Sequence, residues 1–480
     1  MRQCDLAIVG AGPAGLAAAA EAAEAGLSVT VVDDNARPGG QYFRHPPLGF
    51  RHTGDTPWDK DRKRGAALFA ALDHPLVTYL PGAVVWDMPE PGVLAVAAGE
   101  RSGRVRARAV ILATGAQDRP VPFPGWTLPG VIGAGGVQNL LKGQRVVPGG
   151  RAVLVGNGPL LLLIGANLVR AGVKVEAVVE AAPIWRRMPA VLSRLAAAPE
   201  ILAQAVRYRA ILARANVPIL TGWSPTAALG KDAVEGVSVA PIEPSGRVDR
   251  ARSRSFACDL LVTGFGLSPS IELPRLLGAR LDYEPLRGGW TVARSQEGES
   301  SVSGLFVVGD GAGIGGVELA LVEGRLAALA VVQRLQRATQ VVEKRAALRR
   351  RWARLDRFRR GIETLYRPPR SFRGLLTPET IVCRCEDVTL ADLDRRRGEG
   401  ASSAMQMKAT TRMTMGRCQG RNCLSTLAML VAVETGAEPA AIAMPRARPP
   451  ARPVLLGDLC FEDLPPPELP DDPHLPRARP

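Results

Sequence analysis

The chain has 480 residues, 46% hydrophobic and 22% charged, which excludes global disorder and predicts two to four folded domains. Seven cysteines in this length exclude a small disulfide-stapled scaffold. The formal charge of +15 points first to a polyanionic partner, but its distribution argues otherwise: residues 344–373 hold 12 basic and two acidic residues, a net +10, and the other 450 residues carry only +5.

In chain order, residues 6–9 read as a strand, 10–15 as a glycine-rich turn, 16–25 as a helix stopped by Gly26, and 28–32 as a second strand. No basic n-region with a cleavage site precedes them, and no apolar run approaches the ~20 residues that span a bilayer. A cytoplasmic protein is the expectation. The same pattern recurs about 146 positions later, with strand 152–155, turn 156–161, helix 162–171 and strand 174–179. Two such openings predict two dinucleotide-type domains. Apolar runs ending in glycine at 109–115, 260–264 and 305–309 read as strands that deliver loops to the carboxyl edge of a sheet, where such folds bind ligands.

Gly10-Ala11-Gly12-Pro13-Ala14-Gly15 follows a strand and opens a helix. Gly10 permits the tight turn, Gly12 lets backbone approach a pyrophosphate, and Gly15 lets helix and strand pack closely. The helix N-terminus offers unpaired N–H groups to phosphates. Asp33 ends the next strand 18 positions after Gly15, where a carboxylate can accept from ribose hydroxyls. A tight turn that binds nothing would explain the glycines alone. Three further features argue against it: Gly39-Gly40-Gln41, the strand end Thr114-Gly115, and Gly309-Asp310 followed by four more glycines.

On these residues, the first 330 or so positions resemble the flavoprotein superfamily with two dinucleotide-binding domains, which includes the disulfide reductases. The resemblance implies an α/β fold with two Rossmann-like domains. It also implies FAD at Gly10, Gly12, Pro13, Ala14, Gly15 and Asp33, with Gly40, Gln41, Thr114, Gly115, Gly309 and Asp310 around it. The cysteine pair that a disulfide reductase needs beside its flavin is missing, so thiol–disulfide chemistry is not expected. His45, between arginine and proline, reads as a loop hydrogen-bonder, and no substrate base stands out.

The second motif, Gly156-Asn157-Gly158-Pro159-Leu160-Leu161, puts leucine where the third glycine belongs. A branched side chain there should push the helix off the strand or demand different packing. Glu180 ends the next strand and could hold a ribose diol, favouring NAD over NADP. A fold that has lost nicotinamide binding is the preferred reading, and NAD(H) binding at Gly156, Gly158 and Glu180 is the other.

After residue 311 a helical pattern starts near Glu318 and runs into the arginine-rich stretch. Its apolar positions Trp352, Leu355, Phe358 and Ile362 recur at helical spacing. No nucleic-acid motif accompanies it, so it is expected to dock, its arginines meeting carboxylates on a partner subunit or a neighbouring domain.

Four cysteines then have ligand-like spacing: Cys383 and Cys385, a gap of 32 residues, then Cys418 and Cys423 just before a predicted helix 424–435. Four thiolates suit structural zinc or an iron–sulfur cluster, and the C-x-C pair argues against zinc. Arg384, Lys408, Arg412, Arg417 and Arg421 could offset the negative charge. Cys4, Cys258 and Cys460 fall outside this pattern and read as small buried or tail residues.

Through Cys383-Arg384-Cys385-Glu386-Asp387 and Met415-Gly416-Arg417-Cys418-Gln419-Gly420, this segment resembles the [2Fe–2S] domain of bacterioferritin-associated ferredoxin. With Gly125-Trp126-Thr127-Leu128-Pro129-Gly130, the order of motifs resembles the alpha subunits of bacterial opine, proline and hydroxyproline dehydrogenase complexes and a hydrogen cyanide synthase subunit. Thr414 departs from the glycine often found there, a change expected to alter the loop and leave the ligands intact.

The resemblance implies an FAD- and [2Fe–2S]-containing electron-transfer subunit of a dehydrogenase that oxidises the C–N bond of a secondary amine. A separate flavoprotein subunit would oxidise the substrate, and a small ferredoxin-like subunit would be a further partner. Electrons would leave to an acceptor such as a quinone, which would place the complex at the inner membrane peripherally; no nucleic acid is implied. The alternatives are a self-contained NADH-dependent flavin/iron–sulfur reductase and a scaffold with structural zinc. The expected domains are FAD-binding 1–117 with 293–335, an inserted dinucleotide-type domain 118–292, a linker 336–379, the cluster domain 380–437 and a proline-rich tail 438–480.

Overall fold

A computed structural model describes residues 1–46, 59–99, 101–336 and 342–459. The chain forms two compact units: Met1–Ala116, Ser268–Asp356 and Arg446–Pro480 make the first, Gln117–Leu267 and Arg357–Pro445 the second. Among the described residues no helix is long and apolar enough to cross a membrane.

The first unit is built on a seven-stranded sheet. Val77–Leu80, Val29–Val32, Arg2–Val9 and Arg101–Leu112 lie side by side in parallel. The last of these strands forks: its start pairs antiparallel with Val93–Ala98 and its end pairs parallel with Leu305–Val307. The carboxyl ends of Arg2–Val9, Arg101–Leu112 and Leu305–Val307 therefore come together, and each feeds a glycine-containing loop. Helix Pro13–Glu24, rich in alanine and nearly all buried, packs against helix Val317–Gln336. The approach is close because Gly324 faces Ala14, where a Cβ would lie 2.0 Å from the Ala14 carbonyl oxygen.

The second unit carries a five-stranded parallel sheet in the order Ile219–Thr221, Lys174–Glu180, Arg151–Gly156, Leu260–Gly264, Val131–Gly133. Both faces are covered, as a parallel sheet requires. Val153, Val155, Ala177 and Val179 pack with the antiparallel strand Gly236–Pro241 and with Phe372 and Leu375. Leu154 and Val178 point the other way, toward Ile164, Leu168 and Leu212 of the helices. The cysteine segment in this unit is a short hairpin, Ile381–Cys383 with Val388–Thr389, followed by helices Leu390–Gly398, Ala404–Thr411 and Leu424–Thr435. The first two helices start with capping boxes, Thr389 with Asp392 and Ser403 with Gln406.

The arginine-rich stretch is largely helix Val342–Leu365. In the first unit, Lys344 pairs with Glu21, Arg345 (3.1 Å) and Arg349 with Glu297, and Arg351 with Glu318 (3.1 Å). The carboxylates it meets are thus supplied by this chain. The tail re-enters the first unit, where the Ala451 N–H donates to the Trp86 carbonyl (2.7 Å) and Val454 packs on Trp86. Cys460 and the tail beyond it lie outside the described residues.

Candidate functional site

The first glycine loop is built as its sequence requires. Gly10 has φ +104°, and a Cβ there would lie 2.4 Å from the Ala113 carbonyl oxygen; a Cβ on Gly15 would lie 1.8 Å from the Gly10 carbonyl oxygen. Gly12 caps helix Pro13–Glu24, with Pro13 in the first turn, where a missing N–H costs nothing. The expected cofactor-edge segments converge on this loop. The Gly39 N–H donates to the Ala11 carbonyl (2.7 Å), and a Cβ on Gly40 would lie 2.8 Å from Gly12 Cα. Gly311 lies against Thr114 and Gly115, and Gly309 against Ala14. Gln41 accepts from Arg44 (2.6 Å).

Asp33 is buried and faces into the loop. One carboxylate oxygen accepts the Ala11 N–H, and the other accepts the backbone (2.7 Å) and side-chain (2.9 Å) N–H groups of Asn35. Burial pushes its pKa up against those hydrogen bonds. Asp310 is likewise turned inward, accepting the Gly315 (2.8 Å) and Gly316 (2.9 Å) N–H groups. The Thr114 hydroxyl donates to the Ser270 carbonyl (3.1 Å), and the Ser270 N–H donates to the Gly115 carbonyl (3.0 Å). The first duty of both acids is to hold the loops in shape. His45 is buried with its ring 4.9 Å from that of Phe69.

Sequence reasoning missed Glu323. It is buried in helix Val317–Gln336 and accepts two hydrogen bonds from Arg294 (2.9 and 3.0 Å), one from the Gly309 N–H (2.9 Å) and one from the Trp352 indole (3.2 Å). Burial pushes its pKa up, but the Arg294 charge and hydrogen bonds outweigh burial and the net direction is down. This network anchors the residue before Asp310. The signal was a charged residue on the otherwise apolar face of Leu319, Val322 and Leu326.

At the second loop, Leu161 is accommodated rather than disruptive. The helix there begins at Leu160, and Gly264 makes room: a Cβ on it would lie 2.8 Å from Leu161 Cδ2. Gly156, at φ +155°, crosses so close to Gly264 that a Cβ would lie 2.1 Å from that residue's carbonyl oxygen. Glu180 is buried and accepts the Gly158 and Ala182 N–H groups, both at 2.8 Å. Burial pushes its pKa up to about 8 against those bonds and the Arg187 charge.

The cysteine lobe brings all four sulfurs together. Cys423 hydrogen-bonds with both Cys383 and Cys418, and Cys418 with Cys385. As these side chains stand, no group of three or more His, Cys, Asp or Glu among the described residues is placed to hold a metal ion. The backbone is nonetheless aimed at the sulfurs. Cys383 accepts hydrogen bonds from the N–H groups of Thr414, Cys385 and Glu386, and Cys418 from those of Gly420 and Asn422. The Cys423 contact, with these donors, lowers Cys383 to about 6 and Cys418 to about 5. Cys423 is pushed up by those two contacts, and Cys385 by burial. Such an array suits sulfur that carries negative charge, as a thiolate-bound metal centre does.

Aiming these amides strains the chain. Asp387, Arg412, Thr414 and Gln419 all have positive φ, and Thr414, β-branched at +73°, is the least suited to it. Gly416 is required, since a Cβ there would lie 2.4 Å from Cys385 Cβ. The neighbouring cations are partly committed: Arg412 pairs with Glu386 (2.8 Å) and Arg384 lies 6.0 Å over the Trp126 ring. One side chain from the sheet domain ties down each cysteine pair. The Trp126 indole donates to the Ile381 carbonyl (2.7 Å), and the Gln117 amide to the Arg421 carbonyl (3.2 Å).

Residues 4–333 match the pyridine nucleotide-disulphide oxidoreductase family, and residues 377–461 match the sarcosine oxidase A3 domain. The chain is 35% identical to an opine oxidase subunit of Agrobacterium tumefaciens (strain Ach5), over 95% of this chain and 91% of that protein. It is 34% identical to hydrogen cyanide synthase subunit HcnB of Pseudomonas aeruginosa, over 87% and 90% of the two chains. The crystal structure of L-proline dehydrogenase from P. horikoshii shares the fold, with a TM-score of 0.68 and 22% identity over 95% of this chain and 79% of that one. With its glycine loops at the carboxyl edges of two sheets, the chain is a flavoprotein oxidoreductase of the pyridine nucleotide-disulphide oxidoreductase family and belongs with the opine oxidase subunits.

Proposed function

We propose that this chain is the electron-transferring subunit of a heteromeric dehydrogenase that oxidises the C–N bond of an opine, a proline-type amino acid or a related secondary amine. The carrying observation is the convergence of Cys383, Cys385, Cys418 and Cys423 under six backbone N–H donors, in a chain that also holds a glycine loop of the flavoprotein type. In this reading Gly10, Gly12, Pro13, Ala14 and Gly15 hold the pyrophosphate of FAD. Asp33, Gly40, Gln41, Thr114, Gly115, Gly309 and Asp310 line it, and the four cysteines hold a [2Fe–2S] cluster. When bound, these groups supply two-electron acceptance with single-electron release and one-electron carriage. The chain's own residues position them: Asp33 and Asp310 fix the loops, and the N–H groups around Cys383 and Cys418 stabilise charge on sulfur.

The names of the relatives, subunits of an opine oxidase and of a hydrogen cyanide synthase, support a heteromeric complex; that another subunit oxidises the substrate is part of the proposed reading. The electron acceptor is inferred to be external, such as a quinone. Purification of the native complex, with mass spectrometry of its subunits, visible and electron paramagnetic resonance spectra, and a screen of secondary amines with an artificial acceptor, tests the reading. A brown protein with a reduced rhombic signal that disappears in Cys383→Ser is expected. A colourless, zinc-loaded protein, or amine oxidation at full rate by the isolated chain, refutes it.

A further inference from the structure

The two glycine loops differ in a way their sequences do not show. Gly10, Gly12 and Pro13 are partly exposed; in the second loop Gly156, Asn157 and Gly158 are buried, and only Pro159, at the start of the helix, is exposed. The cover is the chain itself. Helix Val342–Leu365 ends beside the second loop, and the next residues lie along it. The Asn157 side chain donates to the Tyr366 carbonyl at 2.6 Å. Arg187 donates to the Arg367 carbonyl at 2.6 Å and, at longer range, to that of Leu365 at 3.4 Å. The Tyr366 ring packs on the cluster containing Ala182, Ile184 and Leu365, beside Glu180.

These contacts take the groups a dinucleotide would use. The side-chain donor of the glycine loop, Asn157, and the Arg187 guanidinium, both suited to phosphate or ribose oxygens, are spent on backbone carbonyls. A tyrosine ring fills apolar space next to the acid at the end of the second strand, where the ribose and adenine of a bound dinucleotide belong. The segment is held from both ends. Upstream, Phe358 and Leu365 are buried; downstream, Pro368 and Pro369 restrict the backbone, and the Arg370 N–H donates to the Pro244 carbonyl at 2.9 Å.

We propose that residues 365–367 are the resident occupant of the second dinucleotide fold, a strap that excludes nicotinamide dinucleotides and leaves this domain as a frame. It also rules out NADH as the reductant that enters here.

The full-length, flavin-loaded protein is titrated anaerobically with NADH, following nicotinamide fluorescence for binding and flavin absorbance for reduction. Wild type is expected to show no saturable binding up to about 1 mM. Tyr366→Ala with Arg187→Ala is expected to bind at least about tenfold more tightly, because apparent affinity rises with the fraction of molecules whose site is open. Asn157→Ser removes one strap bond and little packing, so it is measured alongside, with hydrogen exchange across residues 360–370 reporting release of the strap. Increased exchange together with gained affinity in either variant supports the proposal. Micromolar NADH binding by wild type overturns it. So does increased exchange with no gain in affinity, since the strap would then not be the barrier.

Discussion

Replacing Glu323 tests how the first site is held. Its carboxylate is 4% exposed and accepts four hydrogen bonds, from Arg294 twice, Gly309 and Trp352. Glu323→Ala leaves the Arg294 guanidinium, 10% exposed, without its counter-ion and leaves the Gly309 amide unpaired beside Asp310. Breaking a buried pair from one side costs about 3–5 kcal/mol. At about 2–4 °C per kcal/mol for a unit of this size, the expected fall in Tm is on the order of 10 °C. The double variant Glu323→Leu with Arg294→Met removes the stranded charge. Its main remaining penalties, shared with Glu323→Ala, are the unpaired Gly309 amide and Trp352 indole, about 1–3 kcal/mol each. The double variant should therefore be more stable than Glu323→Ala, with a coupling of about 2 kcal/mol in the cycle closed by the single variants Glu323→Leu and Arg294→Met. Thermal unfolding of the full chain by circular dichroism, with flavin release recorded separately, measures both. A fall of under about 3 °C for the single variant, or costs that simply add, would refute the claim that this pair anchors the Gly309–Asp310 turn.

Three further outcomes are expected. The Glu180 pKa, raised from 4.5 to about 8 by burial, makes its contribution to stability fully present below about pH 4.5 and lost as pH rises through about 8. Glu180→Gln should flatten that decline, read from denaturant midpoints across pH, although its amide NH2 faces one of the two backbone N–H donors and lowers stability at acid pH; an unchanged profile contradicts the buried, inward carboxyl. Thr414→Gly should stabilise the cysteine lobe by about 1 kcal/mol, as relief of the φ +73° conformation and of a buried unpartnered hydroxyl outweighs one lost methyl and the greater freedom of unfolded glycine. Faster amide exchange in residues 413–420 of that variant would show the opposite. Gly15→Val should abolish flavin retention and lower Tm, because its Cβ would lie 1.8 Å from the Gly10 carbonyl oxygen; normal flavin content after purification would show that helix and turn can separate without loss of the site.

Much of the architecture is legible in the chain because it rests on local rules. Apolar runs of four to eight residues, glycines that tolerate positive φ and an alanine-rich helix each signal their conformation without distant help. The strand 260–264 and the helix 424–435 fold over those residues as expected, and the glycine loop takes the backbone its sequence demands. Cysteine spacing likewise signals that four thiols meet. Three things depend on contacts between residues far apart in sequence. Leu161 looks incompatible with close packing, but Gly264, over a hundred positions later, supplies the missing space. Glu323 looks like one more acid of a long helix until Arg294 and Gly309 close around it. The second dinucleotide motif looks open, and only the fold lays Tyr366 and its neighbours along it. Which segments turn, extend and coil is written in the order of the residues, because those choices are made between near neighbours. Which loops stay open and which buried acids find a partner is settled only when the chain folds, because burial and counter-ions come from wherever the chain returns.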